Sequence, residues 1–248
     1  MFHLNKFIYL YYTHSKANRV SRFILKEGQL IWEKILLDNI PNARFHDGGR
    51  IKFGPDKNLY VTTGDATLPS SAQDINSLAG KILRLNKDGS IPKDNPFKNY
   101  VYSYGHRNPR GLVWGGGKLY PSEHGPTRND EINIIYSGGN YGWPVECDQK
   151  SNFTNPLRCF TELTIAPGSL AFANGSLYVS GLKGNQLRKI TLAKDGKTIL
   201  NEEKILDNLG RIRETVVKGN YLYVTTSNQD GRGIPRGNDD KIIKIKIS

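Results

Sequence analysis

The sequence predicts an all-β protein of the β-propeller type. Three observations carry that expectation. A turn rich in Gly, Asp or Asn, then Leu-Tyr, then a short β-branched strand, recurs as GPDKNLYVTTGD, GGGKLYPSEHG, ANGSLYVSGLKG and KGNYLYVTTSNQD. The composition, with 26 Gly, 12 Pro and 13 Tyr at 37% hydrophobic residues, suits many short strands and tight turns better than a helical bundle. At 248 residues the chain is long enough to bury a sizeable β core.

The Leu-Tyr pairs begin at Leu59, Leu119, Leu177 and Leu222, which are 60, 58 and 45 positions apart. A weaker fifth copy, KFIYLYYTH, precedes them. Most copies lead into a second alternating strand: NRVSRFIL, GKILRLNKDG, DEINIIYSGG, NQLRKITLAKDG and DKIIKIKI. Such spacing, with several strands per repeat, marks propeller blades. A blade cannot bury both of its faces alone, so blades stack on one another. A β-sandwich is the competing architecture, but its strands would not restart one phrase four or five times. The expectation is therefore one propeller domain over residues 1–248 with five blade units.

The net charge is +12, from 35 Lys and Arg against 23 Asp and Glu. A basic chain can attract nucleic acid, a membrane surface or a small polyanion. No nucleic-acid signature and no dense basic run occur, and much of the excess is scattered lysine on turns. No apolar run approaches a membrane span, and FIYLYY is too short even for the apolar core of an export signal. The two cysteines, Cys147 and Cys159, lie twelve positions apart in one polar loop. They are either free thiols or a disulfide, and a disulfide implies an oxidising compartment.

The densest chemistry lies in FHDGGRIKFGPDKNLYVTTGDA, where Asp47-Gly48-Gly49 sets His46 on a loop tip. In SYGHRNPRGLVW, Gly105, Pro109 and Gly111 bend the backbone around His106, Arg107 and Asn108. An arginine beside an amide suits carboxylate or carbonyl recognition. In SEHGPTRNDEINIIYSGGNYGWP, Asp130 and Glu131 offer hard oxygen ligands amid Gly- and Pro-bent backbone, a combination suited to Ca²⁺. Each motif also has a bland reading. His106 and His124 could be loop packing, Asp130 and Glu131 a turn-capping pair, and Arg211 and Arg213 a solvated strand face.

The order and wording of these motifs resemble the soluble quinoprotein glucose and aldose sugar dehydrogenases, which hold pyrroloquinoline quinone (PQQ) and Ca²⁺ in a six-bladed propeller. The resemblance runs from HDGGRIKFGPDKNLYVTTGD through AQDINSLAGKILRLNKDGSIPKDNPF, GHRNPRGL, EHGPTRNDEINII and GGNYGWP, and resumes at GRIRE and SNQDGRG. It implies oxidation of an aldose at C1 to the lactone, with an external electron acceptor and a periplasmic or extracellular location. His46 matches the base that takes the anomeric hydroxyl proton while hydride passes to the quinone. Arg107 and Asn108 match the pair beside the quinone oxygens. Lys183 matches a lysine that contacts PQQ, and Arg211 and Arg213 match the arginines on its carboxylates. Alternate strand residues share a face, so these two can grip one anion. The carbonyls of Gly125 and Pro126 match ligands of the Ca²⁺ at the cofactor. Glu131 and the Tyr141 carbonyl match a second Ca²⁺ site.

The chain departs from the family in three places. It begins within what would be the second blade, so the expectation is a ring with a wedge open. Phe45 stands where the glucose-specific branch has an acidic substrate ligand, and TIAPGSLAFANGSLYVSGLKG is shorter than in the glucose enzymes. Both point away from strict glucose specificity, toward a broad or unidentified aldose. The alternative function is a non-catalytic propeller that binds a protein or glycan partner.

Overall fold

The computed structural model describes residues 2–4, 7–149 and 152–247. The chain divides into two compact units, one formed by Met1–Pro109, Tyr136–Glu146 and Lys150–Thr154, the other by Arg110–Ile135, Cys147–Gln149 and Asn155–Ser248.

The first unit carries two four-stranded sheets. One runs β1 (Phe2–Leu4), β2 (Phe7–His14), β3 (Ala17–Lys26) and β4 (Gln29–Ile40). The next runs β5 (Ile51–Phe53), β6 (Leu59–Thr63), β7 (Lys81–Leu85) and β8 (Val101–Tyr104), with a single 3-10 turn at Pro69–Ala72 between β6 and β7. The second unit carries β9 (Pro109–Gly115) to β10 (Lys118–Glu123), β11 (Asp130–Ile132) and β12 (Arg158–Phe160) in one sheet. Another holds β13 (Pro167–Ala173), β14 (Ser176–Gly181), β15 (Gln186–Leu192) and β16 (Ile199–Asp207). A three-stranded sheet of β17 (Ile212–Lys218), β18 (Tyr221–Thr226) and β19 (Ile242–Lys246) completes it. The all-β expectation and the five repeat units are thus borne out among the described residues.

Within each sheet the strand order follows the chain order. Two-residue turns make this possible. Glu27-Gly28 and Asn174-Gly175 each place both residues at positive φ, as does Gly116-Gly117, which is the hairpin turn whose twist matches that of its strands. The recurring Leu-Tyr phrase supplies the second strand of every sheet, β2, β6, β10, β14 and β18, and the alternating segment after it supplies the third. The leucine sits opposite an apolar residue of that third strand: Leu59 with Leu85, Leu177 with Ile190, Leu222 with Ile245. Leu59, Leu119, Leu177 and Leu222 are all buried. One segment differs from its expectation. β11 ends at Ile132 rather than running through DEINIIYSGG, although the amides of Asn133 and Ile135 still bond the carbonyls of Pro121 and Leu119 on β10.

Three apolar clusters hold the sheets. In the first unit Tyr9, Val20 and Ile40 pack with Leu59, Val61, Leu83 and Leu85. In the second, Tyr120, Ile132 and Phe160 join Leu177, Val179 and Ile190, while Tyr178 and Leu187 meet Ile212, Leu222 and Val224. Cys147 and Cys159 form a disulfide with a Cα separation of 6.1 Å, which answers the open question of their pairing.

Candidate active site

In the first unit, the loop between β4 and β5 carries His46, and the segment after β6 carries Asp65. The His46 Nδ1 lies 2.8 Å from Asp65 Oδ1. Asp65 is fully buried and has further donors: the Thr67 amide at 2.9 Å on Oδ1 and the Trp143 indole N–H at 2.8 Å on Oδ2. Burial alone would raise the Asp65 carboxyl, but the bonds from His46, Thr67 and Trp143 more than offset it and hold it below the ordinary carboxylate range. An imidazole whose Nδ1–H faces a carboxylate presents Nε2 as an acceptor, which is the arrangement a proton-taking base needs.

The backbone reason for this placement is a close crossing. A Cβ on Gly64 would fall 1.8 Å from the His46 carbonyl oxygen, and one on Gly48 would fall 2.6 Å from the Thr62 carbonyl oxygen, so only glycine lets the two segments approach. His46 itself sits at φ 65°. Asp47 fixes the loop from the other side, accepting from Asn18 Nδ2 at 2.9 Å and the Ala43 amide at 3.1 Å, while its carbonyl takes the Tyr11 hydroxyl at 2.8 Å.

The Arg107-Asn108 motif joins the same cluster. The Asp65 amide donates to the Arg107 carbonyl at 2.8 Å, and the Gly48 amide donates to Asn108 Oδ1 at 3.2 Å. The Arg107 guanidinium lies 5.2 Å from the Trp143 ring centre. His46, Asp65, Arg107, Asn108 and Trp143 are thus one connected set. His106 is buried beside them, stacked on Tyr141 at 4.6 Å and bonded to Ser103 Oγ at 2.9 Å, which fits its bland reading as loop packing.

The second unit holds the other expected cofactor residues. The Arg211 Nε lies 3.0 Å from Asp230 Oδ2 and an Arg213 terminal nitrogen 2.6 Å from the same oxygen, so the pair does grip one carboxylate together. Partial burial would raise the Asp230 carboxyl, yet the Arg232 amide and the two guanidiniums push it down to about 2. A cavity of about 220 Å³ is lined by Lys183, Arg211, Asn228, Arg232 and Arg236, among others.

Gly125 and Pro126 lie in the loop between β10 and β11. That loop is drawn tight, because a Cβ on Gly125 would meet the Arg128 carbonyl oxygen at 2.0 Å. Asp130, read beside Glu131 as a source of hard oxygen ligands, instead stitches backbone. Its Oδ1 takes the Gly125 amide at 2.9 Å, and its Oδ2 takes the Ile165 and Ala166 amides at 2.8 Å each. Glu131 is buried and accepts from Asn133 Nδ2 at 2.9 Å. Glu131 belongs to the second unit and Tyr141 to the first. His124 packs its loop, with Nε2 3.0 Å from the Pro167 carbonyl oxygen.

Three residues of these clusters escaped the sequence reading: Asp65, Trp143 and Asp230. Each sits in a stretch that the motifs include, namely TTGDA, NYGWP and SNQDGRG. The available signal was a carboxylate two positions past the end of β6, and a second four positions past the end of β18.

Comparison with known proteins accounts for this combination. Residues 1–236 match the family model described as glucose/sorbosone dehydrogenase. Quinoprotein glucose dehydrogenase B of Acinetobacter calcoaceticus is 46% identical over 44% of this chain and 28% of its own length. Aldose sugar dehydrogenase YliI of Escherichia coli is 32% identical over 75% of this chain and 58% of its own. The chain therefore spans less than two thirds of either relative. The PQQ-bound structure of aldose sugar dehydrogenase from Streptomyces coelicolor superposes with a TM-score of 0.92 at 38% identity, covering 98% of this chain and 75% of that one. The five sheets are accordingly propeller blades of this type, and the chain belongs to the glucose/sorbosone dehydrogenase family.

Proposed function

We propose that the protein is a PQQ- and Ca²⁺-dependent aldose sugar dehydrogenase that oxidises the sugar at C1 to the lactone. The observation that carries this reading is the imidazole of His46 oriented by a buried carboxylate and stitched through backbone to Arg107 and Asn108. A binding module has no use for an oriented base beside a guanidinium.

His46 takes the proton of the anomeric hydroxyl at Nε2, and Asp65 stabilises the imidazolium that results, a step that contributes ~10²–10⁴-fold of rate. Arg107 and Asn108 stabilise the negative charge that develops next to them. When bound, pyrroloquinoline quinone supplies the two-electron acceptor for the C1 hydride. The second unit's residues fit that tricarboxylate, since Arg211 and Arg213 already hold a carboxylate and Lys183 lines the adjoining cavity. Among the described residues no three His, Cys, Asp or Glu side chains gather into a metal cluster. Calcium at the cofactor would be held by the carbonyls of the tight Gly125-Pro126 turn, and a second ion would draw on the buried Glu131 carboxylate of the same unit. The disulfide supports a periplasmic or extracellular setting. Turnover would then need an external acceptor to take the electrons from the bound cofactor.

Titration with PQQ and Ca²⁺, followed by absorbance, gives saturable binding that a chelator abolishes, and a panel of aldoses then bleaches the bound chromophore. Absence of PQQ binding with Ca²⁺ present overturns the cofactor assignment, and binding without bleaching by any aldose overturns the substrate class.

A further inference from the structure

We infer that Trp143 is a positioning residue that couples the carboxylate behind His46 to the guanidinium of Arg107, so that base and cation are held as one body. The inference rests on the dehydrogenase reading for the words base and cation, while the coupling itself is a property of the chain. The indole N–H donates to Asp65 Oδ2 at 2.8 Å while Oδ1 faces His46 at the same distance. A carboxylate with a donor on each oxygen cannot turn about its Cβ–Cγ bond without breaking one of them. The orientation of Asp65, and through it that of the imidazole, is therefore set from the side opposite His46. The same indole offers its face to Arg107 at 5.2 Å.

One side chain thus serves both contacts. Phenylalanine keeps a face for the guanidinium but has no donor, and glutamine keeps a donor but has no face. The indole is itself anchored. The Trp143 amide donates to the Gly105 carbonyl at 2.9 Å, and its carbonyl accepts from Gln73 Nε2 at 2.7 Å. Gln73 and Asn140 exchange amide bonds of 3.1 and 2.8 Å that fix Gln73 in turn. These backbone anchors would hold the loop whatever side chain stood at 143. The indole N–H is thus separable from the packing of the loop, and that separation makes the inference testable.

Two replacements remove the N–H and keep a ring: Trp143→Phe, and substitution by β-(3-benzothienyl)alanine, in which sulfur takes the place of the indole nitrogen at nearly unchanged shape. Nitrogen-15 NMR of the protein without cofactor reads the His46 Nδ1–H directly. Its exchange with water becomes roughly tenfold faster in both variants, the equivalent of about one net hydrogen bond. In the PQQ-loaded protein, kcat falls by a similar factor at unchanged KM, and PQQ affinity stays at the wild-type value. Trp143→Ala, which loses the ring face as well, weakens PQQ binding in addition. An unchanged His46 signal in the benzothienyl variant overturns the coupling, as does a loss of kcat in that variant matched by an equal loss of PQQ affinity. Failure of the wild-type chain to bind PQQ overturns the dehydrogenase reading instead, and leaves the NMR result to decide the coupling alone.

Discussion

His46 and Asp65 divide one proposed task between a half-buried side chain and a fully buried one. In the proposed reaction the histidine meets the substrate, and the aspartate, with three donors on its two oxygens, stays ionised behind it. His46→Gln keeps a polar group of similar reach and removes the base. Turnover is expected to fall by ~10²–10⁴-fold, with PQQ affinity unchanged in the absorbance titration. Equal turnover in mutant and wild type would assign the proton transfer to another group. Asp230 behaves differently, because its role is electrostatic. Its folded-state value of about 2 lies below the ordinary 3.8. A depressed carboxylate contributes stability that is present above the unfolded value and lost as pH falls through the folded one. The stability difference between wild type and Asp230→Asn should therefore be constant near neutrality and shrink between roughly pH 4 and pH 2. Denaturant melts across that window check it. His46 could be read from its sequence because Asp-Gly-Gly announces a loop tip. Asp65 and Asp230 could not, since a single carboxylate after a strand gains meaning only from partners 19 and 17 or more positions away in the chain.

At the scale of elements, strands two and three of each sheet were legible because they carry the signals that a sequence can display: a turn, a buried leucine and period-two alternation. The first strands were not. β5 spans only Ile51–Phe53, and β13 and β17 have a register break against their second strands, which interrupts the alternation. β4 is long but has shifts against β3, and it exposes Leu30, Ile31 and Trp32, so its pattern points to no single face. The loops between strands carry the chemistry, and their shape depends on contacts the sequence does not advertise. Gly64 is the clearest case. Gly64→Ala drives a methyl into the His46 carbonyl, so the loop must move. The expected cost is roughly 1–3 kcal/mol of stability, with loss of activity beyond what the lower melting temperature explains. Gly237→Ala, which meets nothing within 4 Å, serves as the neutral comparison. If Gly64→Ala keeps full activity, the crossing does not set the histidine.

For the molecule as a whole, composition was informative about class and charge but not about where the charge acts. The +12 excess is spread over many turns, yet Lys183, Arg211, Arg232 and Arg236 line one cavity. Only folding brings together cations from three separate stretches of chain. The disulfide is the other long-lived constraint. It closes a loop of sequence separation 12 and ties β12 to the segment that follows the GGNYGWP motif. Reduction, or the paired replacement Cys147→Ser with Cys159→Ser, should lower stability by about 2–4 kcal/mol, read as an earlier denaturant midpoint. No change in midpoint would show that the bridge is dispensable to the fold.

On the proposed function, the ion triad of Arg211, Arg213 and Asp230 also bears on how the cofactor arrives. Its two arginines already have a resident counter-ion, so capture of an incoming carboxylate is an exchange of partners and not the filling of bare charge. Part of the attraction is spent in displacing Asp230, and the charge neutralised on binding is smaller than a count of guanidiniums suggests. Dissolved salt screens the outgoing and incoming carboxylates alike. On the proposed function, the protein gives up some affinity at this corner and gains a cationic pair that is already ordered on a carboxylate oxygen before a cofactor is loaded.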